Sequence, residues 1–204
     1  MKPESETKRK LLETAVELIW QSSYGAVSVD DICTKAGVNK GSFYYAFKSK
    51  SDLAVAALER FWETKRPLMD QIFSPLVPPM ERLKNYCDLI IEDQNEKYRA
   101  HGKVLGCPFC SLGGEQSTQD ENIRKKIEQM GTRKLKYIES LVRDFAAEGS
   151  LETNDPAGLA RELYFYCLGI LMQAKIENNL KVLGQLYPGA LRILGVKQVS
   201  AAVA

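Results

Sequence analysis

The stretch SVDDICTKAGVNKGSFYYAFKSK, residues 28–50, carries two short helical periods joined by one turn and followed by a basic, aromatic-rich tail. In the first period Val29, Ile32, Cys33 and Ala36 fall at i, i+3, i+4 and i+7, which is one face of a helix. Ser28 stands in front as N-cap, and Asp31 three residues on gives an acidic variant of the capping box. Gly37 supplies the left-handed residue that ends this helix, Val38 drops into the core, and Asn39 caps the next helix. The second period, residues 40–47, keeps Phe43 and Phe47 on one face and leaves Lys40, Ser42, Tyr44 and Tyr45 for another. The spacing is that of a helix-turn-helix, with an outer face suited to a DNA groove.

Around this stretch the composition is that of an ordinary folded protein, 45% apolar and 26% charged over 204 residues, enough for one large or two small domains. The net charge of +2 gives no global argument for nucleic acid, so any basic surface has to be local. The first ten residues are polar, with no signal-peptide core. The longest uncharged run, residues 163–174, falls short of the ~18 apolar residues of a spanning helix. A soluble cytoplasmic protein is expected. Five cysteines, an odd number with one close pair, do not form a secreted disulfide framework and are expected to be reduced. No strand-like alternation persists, and the chain reads all-α.

Outward from the helix-turn-helix, a first helix is expected over residues 5–22, with Leu11, Leu12, Ala15, Val16 and Ile19 as its apolar stripe and Trp20 closing a small core. A fourth helix starts near residue 49, and Pro67 predicts a kink or break in it. The linker SPLVPP, residues 74–79, leads into a fifth helix over residues 80–97 with Pro79 at its first position. Residues 98–105 read as a loop or a frayed helix end holding His101, the only histidine, as ordinary surface. A sixth helix opens with Cys107 as N-cap and Pro108 at the first position. A seventh covers residues 120–148 and is closed by Gly149. Its lysines and arginines, interrupted by Glu128 and Glu139, form a solvated face. The eighth is capped by Asp155 and Pro156 and is apolar on every side over residues 163–174, which requires cover on every side. A ninth spans residues 181–194, and residues 196–204 show no pattern.

Residues 7–58 resemble the DNA-binding domain of TetR-family transcriptional regulators. Ala36, Gly37, Val38, Lys40, Gly41, Ser42, Phe43, Tyr44, Phe47, Lys50 and Leu53 carry the match. Ala46 departs from it, standing where the family often has histidine, and shifts base contact toward Tyr45. The resemblance implies a three-helix DNA-binding domain with a helix-turn-helix, residues 1–49, and a C-terminal helical bundle, residues 50–196, that binds ligand and dimerises, about nine helices in all. Its last two long helices would pair with their twins as a four-helix bundle.

The implied function is a ligand-responsive regulator, more often a repressor, that binds a palindromic operator as a homodimer and is released by a small apolar or aromatic effector. No enzyme activity and no cofactor are expected. The candidate DNA-binding residues are Ser28, Asn39, Lys40, Gly41, Ser42, Tyr44, Tyr45, Lys48 and Lys50. Lysines and a helix start suit phosphates, and tyrosines reach phosphates or thymine methyls. Candidate ligand contacts, each also compatible with plain core, are Tyr86, Phe109, Cys110, Tyr137, Tyr166 and Met172. Cys107 and Cys110 are spaced as a Cys-x-x-Cys pair at a helix N-terminus, which lowers a thiol pKa and admits a redox or electrophile sensor. Against this, Gly106, Cys107 and Glu115 resemble a recurrent feature of one TetR-family subgroup that opens the sixth helix without redox chemistry. A thiol oxidoreductase ranks lower, because that chemistry is built on strands this chain lacks. A zinc site lacks ligands, and a helical adaptor would not need a basic, tyrosine-bearing helix.

Overall fold

A computed structural model describes residues 5–196. Among them the chain forms nine α-helices, one 3₁₀ segment and no strand. Two compact units divide the described residues: 5–67 together with 107–131, and 68–106 together with 132–196.

In the first unit α1 (Glu6–Gln21) starts at Ser5, whose side chain accepts from the Lys8 N–H. Its buried Leu11, Leu12 and Ala15 join Val27, Ile32, Cys33, Phe43, Phe47, Leu53 and Ala57 in one core. The helix-turn-helix forms as the caps dictate. α2 (Val29–Ala36) begins with a full Ser28–Asp31 capping box and ends at Gly37 with φ 67°. The Val38 N–H then bonds back to the Cys33 carbonyl, a Schellman closure that presses Val38 on the core. α3 (Lys40–Ala46) follows at once, with Asn39 Oδ1 accepting from Ser42 N at 2.8 Å. α4 (Lys50–Ile72) is capped by Ser49 Oγ on the Asp52 N–H and runs through Pro67 as one helix to Ile72. Edge-to-face rings link α1, α4 and α6 (Pro108–Gln116): Trp20 on Phe61 at 5.5 Å and Phe61 on Phe109 at 5.7 Å.

In the second unit α5 (Pro79–His101) takes Pro79 at its first position and buries Leu83, Tyr86 and Cys87. Its buried Arg82 donates through Nε to the Val77 carbonyl and through Nη1 to Asp144 on α7 (Glu121–Ala147), which fixes the linker before the helix. Its buried Gln94 accepts from Leu105 N and Gly106 N and donates to the Gly106 carbonyl, which holds the chain before α6. α8 (Pro156–Glu177) is capped by Asp155 on Gly158 N at 2.8 Å. It packs on the 3₁₀ segment Leu180–Gln185 and on α9 (Leu186–Leu194).

Of the two readings of residues 98–101, loop or frayed helix end, the second holds: they are the last turn of α5. Arg99 and His101 suit that negative helix end, and Gly102 with φ 66° closes it. The expected ninth helix over residues 181–194 is interrupted at Gln185. Pro188 has no N–H to give, so it is accommodated in the first turn of a new helix, where N–H groups have no partner in the helix anyway. No helix among the described residues is long and apolar enough to cross a membrane. The patternless tail lies, from residue 197, outside the described residues.

Candidate nucleic-acid interface

Phe43, fully buried, anchors α3 to the core, and everything the short helix shows outward follows from that one ring. Tyr44 leans edge-on against Phe43 at 5.1 Å and stays 56% exposed, whereas Tyr45 is 96% exposed. A tyrosine this uncovered contributes nothing to the core of its own chain. Lys40 and Gly41 at the start of α3 and Lys48 just after it are also exposed, and Ser42 is half-buried. Lys40 Nζ lies 2.8 Å from Asp30 Oδ1 on α2, and that bond and charge raise the pKa of the ammonium. The two helices of the motif are thus tied at their exposed edge.

Three of the expected contact residues have local duties. Ser28 Oγ accepts from Asp31 N at 3.1 Å and donates to Asp31 Oδ2 at 2.6 Å, and its own N–H goes to the same carboxylate. The Ser28 hydroxyl and N–H hold the Asp31 carboxyl below its usual range. Asn39 is committed to capping α3. Lys50 is turned inward, where Nζ donates to the Tyr24 and Val27 carbonyls at 2.8 Å each and stands 4.0 Å from the centroid of the Tyr24 ring. Burial lowers its pKa, with the Glu115 charge opposing the shift. This placement takes Lys50 out of the outer face that a phosphate would meet. Its partners lie 23 and 26 residues back, beyond any local pattern. Sequence reasoning also missed Asp30.

The six expected ligand contacts are divided between the two units. In the second unit Tyr86 and Tyr137 both pack on Phe73 at 5.3 Å, and the Tyr137 hydroxyl donates to Asp70. Tyr166 there donates to the Gln185 carbonyl at 2.7 Å, and Met172 is 38% exposed. In the first unit Phe109 is buried on Phe61, and Cys110 is half-buried in the first turn of α6, with Cys107 buried at its N-cap. No disulfide joins any of the five cysteines. A groove of about 560 Å³ in the first unit is lined by α4 and α7 side chains such as Val55, Ala56, Glu59 and Lys126. None of the six residues lines it. No group of three or more His, Cys, Asp or Glu among the described residues could hold a metal ion.

Comparison with known proteins agrees with this geometry. The family model for bacterial regulatory proteins of the tetR family matches residues 11–57, and one described as the tetracyclin repressor-like C-terminal domain matches residues 79–187. An uncharacterized HTH-type transcriptional regulator from the lacX 3' region of Lactococcus lactis subsp. lactis is 30% identical over 181 residues, 87% of each chain. The HTH-type transcriptional repressor NemR of Escherichia coli K12 is 27% identical over 185 residues, 88% of this chain and 89% of its own. The solved structure of regulatory protein TetR from Rhodobacter sphaeroides matches with a TM-score of 0.82 at 27% identity, covering 93% of this chain and 99% of that one. Each of these relatives is named as a regulator, none as an enzyme.

Proposed function

The chain belongs to the TetR family of DNA-binding transcriptional regulators, and from that premise we propose that it is a homodimeric repressor released from a palindromic operator by a small apolar or aromatic effector. Residues 1–49 read the DNA, and residues 50–196 dimerise and take the effector. The observation that carries the DNA-reading role is the 96% exposed Tyr45 on a helix anchored by the fully buried Phe43. Lys40, Gly41, Ser42, Tyr44 and Lys48 share that outer surface. The start of α3 enters the major groove, and two such helices face half-sites one or more helical turns apart.

Dimerisation is supported by α8, where Phe165, Met172 and Ile176 are 60%, 38% and 70% exposed on a helix whose other side is buried. Apolar side chains repeated along one face of an otherwise packed helix call for a partner surface. The effector is held by aromatic side chains of the C-terminal part, Tyr86 and Tyr137 foremost. The test is selection of bound DNA from a random pool by the full-length protein. Enrichment of a sequence with two-fold symmetry is expected, and enrichment of nothing overturns the reading.

A second reading makes Cys107 and Cys110 a thiol sensor within the same regulator. It is favoured by Cys110 standing half-buried in the first turn of α6, the end of a helix that stabilises a thiolate. Repeating the selection with and without reductant tests it, since a thiol-insensitive result in both wild type and Cys107→Ser removes it.

A further inference from the structure

Glu115 sits in the last turn of α6, which holds no basic residue. A carboxylate there faces the negative end of the helix dipole, so the position needs compensation from outside the helix. It comes from about ninety residues earlier in the chain. Glu115 Oε2 accepts the Tyr24 N–H at 2.9 Å and Oε1 the Gly25 N–H at 2.6 Å. The carbonyls of the same segment, Tyr24 and Val27, accept from Lys50 Nζ, and the Ala26 N–H is taken by Ser23 Oγ. The turn over residues 24–26 is therefore closed from both sides, by a carboxylate from α6 and an ammonium from α4. Two residues later comes Ser28, the N-cap of α2, so this turn sets where the helix-turn-helix begins. Gly25 permits the approach, because a Cβ there would lie 3.0 Å from Glu115 Oε1.

α6 is also weakest just before Glu115. Gly113 and Gly114 stand side by side in the helix, and glycine lowers the stability of a helix interior. Gly113 has a packing reason, since a Cβ would meet Ile127 Cγ2 at 3.1 Å; Gly114 has none within 4 Å.

We propose that Glu115 is a positioning residue for DNA binding: it holds the turn over residues 24–26, and operator affinity follows whether the last turn of α6 is in place. Glu115 itself stays away from the DNA. The proposal rests on the DNA-binding role given above and adds to it a residue outside the helix-turn-helix.

The test uses the full-length protein, a DNA fragment enriched by the wild type, and the variants Glu115→Ala, Glu115→Gln, Gly25→Ala and Gly114→Ala. Loss of two charge-assisted hydrogen bonds predicts that Glu115→Ala binds at least about ten-fold more weakly, with helix content at the assay temperature unchanged. Glu115→Gln weakens binding too, because an amide offers one acceptor oxygen where two N–H groups wait. Gly25→Ala, which keeps the carboxylate, weakens it less. Amide exchange at Tyr24 and Gly25 accelerates by about ten-fold or more in Glu115→Ala, while Ile32 and Phe43 keep wild-type protection. Gly114→Ala, by stiffening α6, slows exchange at Tyr24 and Gly25 in the wild-type background and has no effect on them once Glu115 is alanine. Wild-type DNA affinity in Glu115→Ala, or unchanged exchange at Tyr24 and Gly25, overturns the proposal. If the wild type enriches no DNA, the regulator reading fails, and the exchange measurements still decide whether Glu115 holds the turn.

Discussion

Lys40 Nζ stands 2.8 Å from Asp30 Oδ1, so the first cation of the recognition helix is held by a carboxylate of the helix before it. In the proposed DNA complex that carboxylate would give way to a phosphate or share the ammonium with it. Asp30→Asn is therefore expected to tighten DNA binding several-fold, by removing both a competitor and a negative charge. Lys40→Ala weakens it and lowers the slope of log affinity against log salt by about 0.9, the release of one phosphate counterion. An unchanged slope in Lys40→Ala would place that lysine off the phosphates.

Neighbouring positions on α3 separate reading from folding. Tyr45→Ala removes a side chain that is 96% exposed, so stability should stay within about 0.5 kcal/mol of wild type while specific DNA binding falls. Phe43→Ala empties a fully buried site and should cost about 3–5 kcal/mol, so it loses DNA binding by losing the fold. Thermal unfolding beside DNA titration distinguishes the two, and Tyr45→Phe shows whether the hydroxyl or the ring makes the contact.

The exposed apolar side of α8 predicts a charge-sensitive assembly. Phe165→Asp and Ile176→Asp, at 60% and 70% exposure, leave the core of the chain untouched and should yield monomers by sedimentation. Those monomers keep the helix content of the wild type and lose affinity for a two-half-site operator. A dimer that survives both substitutions would place the interface on another face.

The thiols fall into reactive and silent classes. Burial raises the pKa of Cys87 and pushes Cys167 up to about 12, whereas Cys110 is half-buried at a helix start. At pH 8 N-ethylmaleimide should label Cys110 well before Cys87 or Cys167, as peptide mapping can show. In the native state these two thiols hold their protons above the ordinary value of 9.0. The unfolded chain releases those protons first, so stability is intact below about pH 9 and declines between there and about pH 12. Cys167→Ala should make that alkaline decline shallower.

What could be read in the sequence was what is decided within a turn or two of helix. Ser28 with Asp31, Gly37, Asn39, Pro108 and Asp155 with Pro156 are caps whose partners lie within about four residues, so their types in order are enough. Lys50 was misleading for the converse reason. It closes a basic run in sequence, but the carbonyls that hold it belong to another turn, and only the tertiary fold brings them near. The Glu115 contacts span still more chain and leave no periodic trace. The aromatic residues offered as effector contacts were chosen by their type alone. Type does not give the partners of Tyr166, which donates to the Gln185 carbonyl and packs over Gly189.

The first compact unit is not finished by its first stretch, since it joins residues 5–67 with 107–131. Phe109 meets Phe61, Glu115 closes the turn over residues 24–26, and Lys126 pairs with Glu59 at 2.8 Å. Each of these seals arrives only after residues 68–106 of the other unit have been made. A chain emerging from the ribosome therefore carries its helix-turn-helix unsealed until roughly two thirds of the sequence exists, and the part that reads DNA is completed late in synthesis.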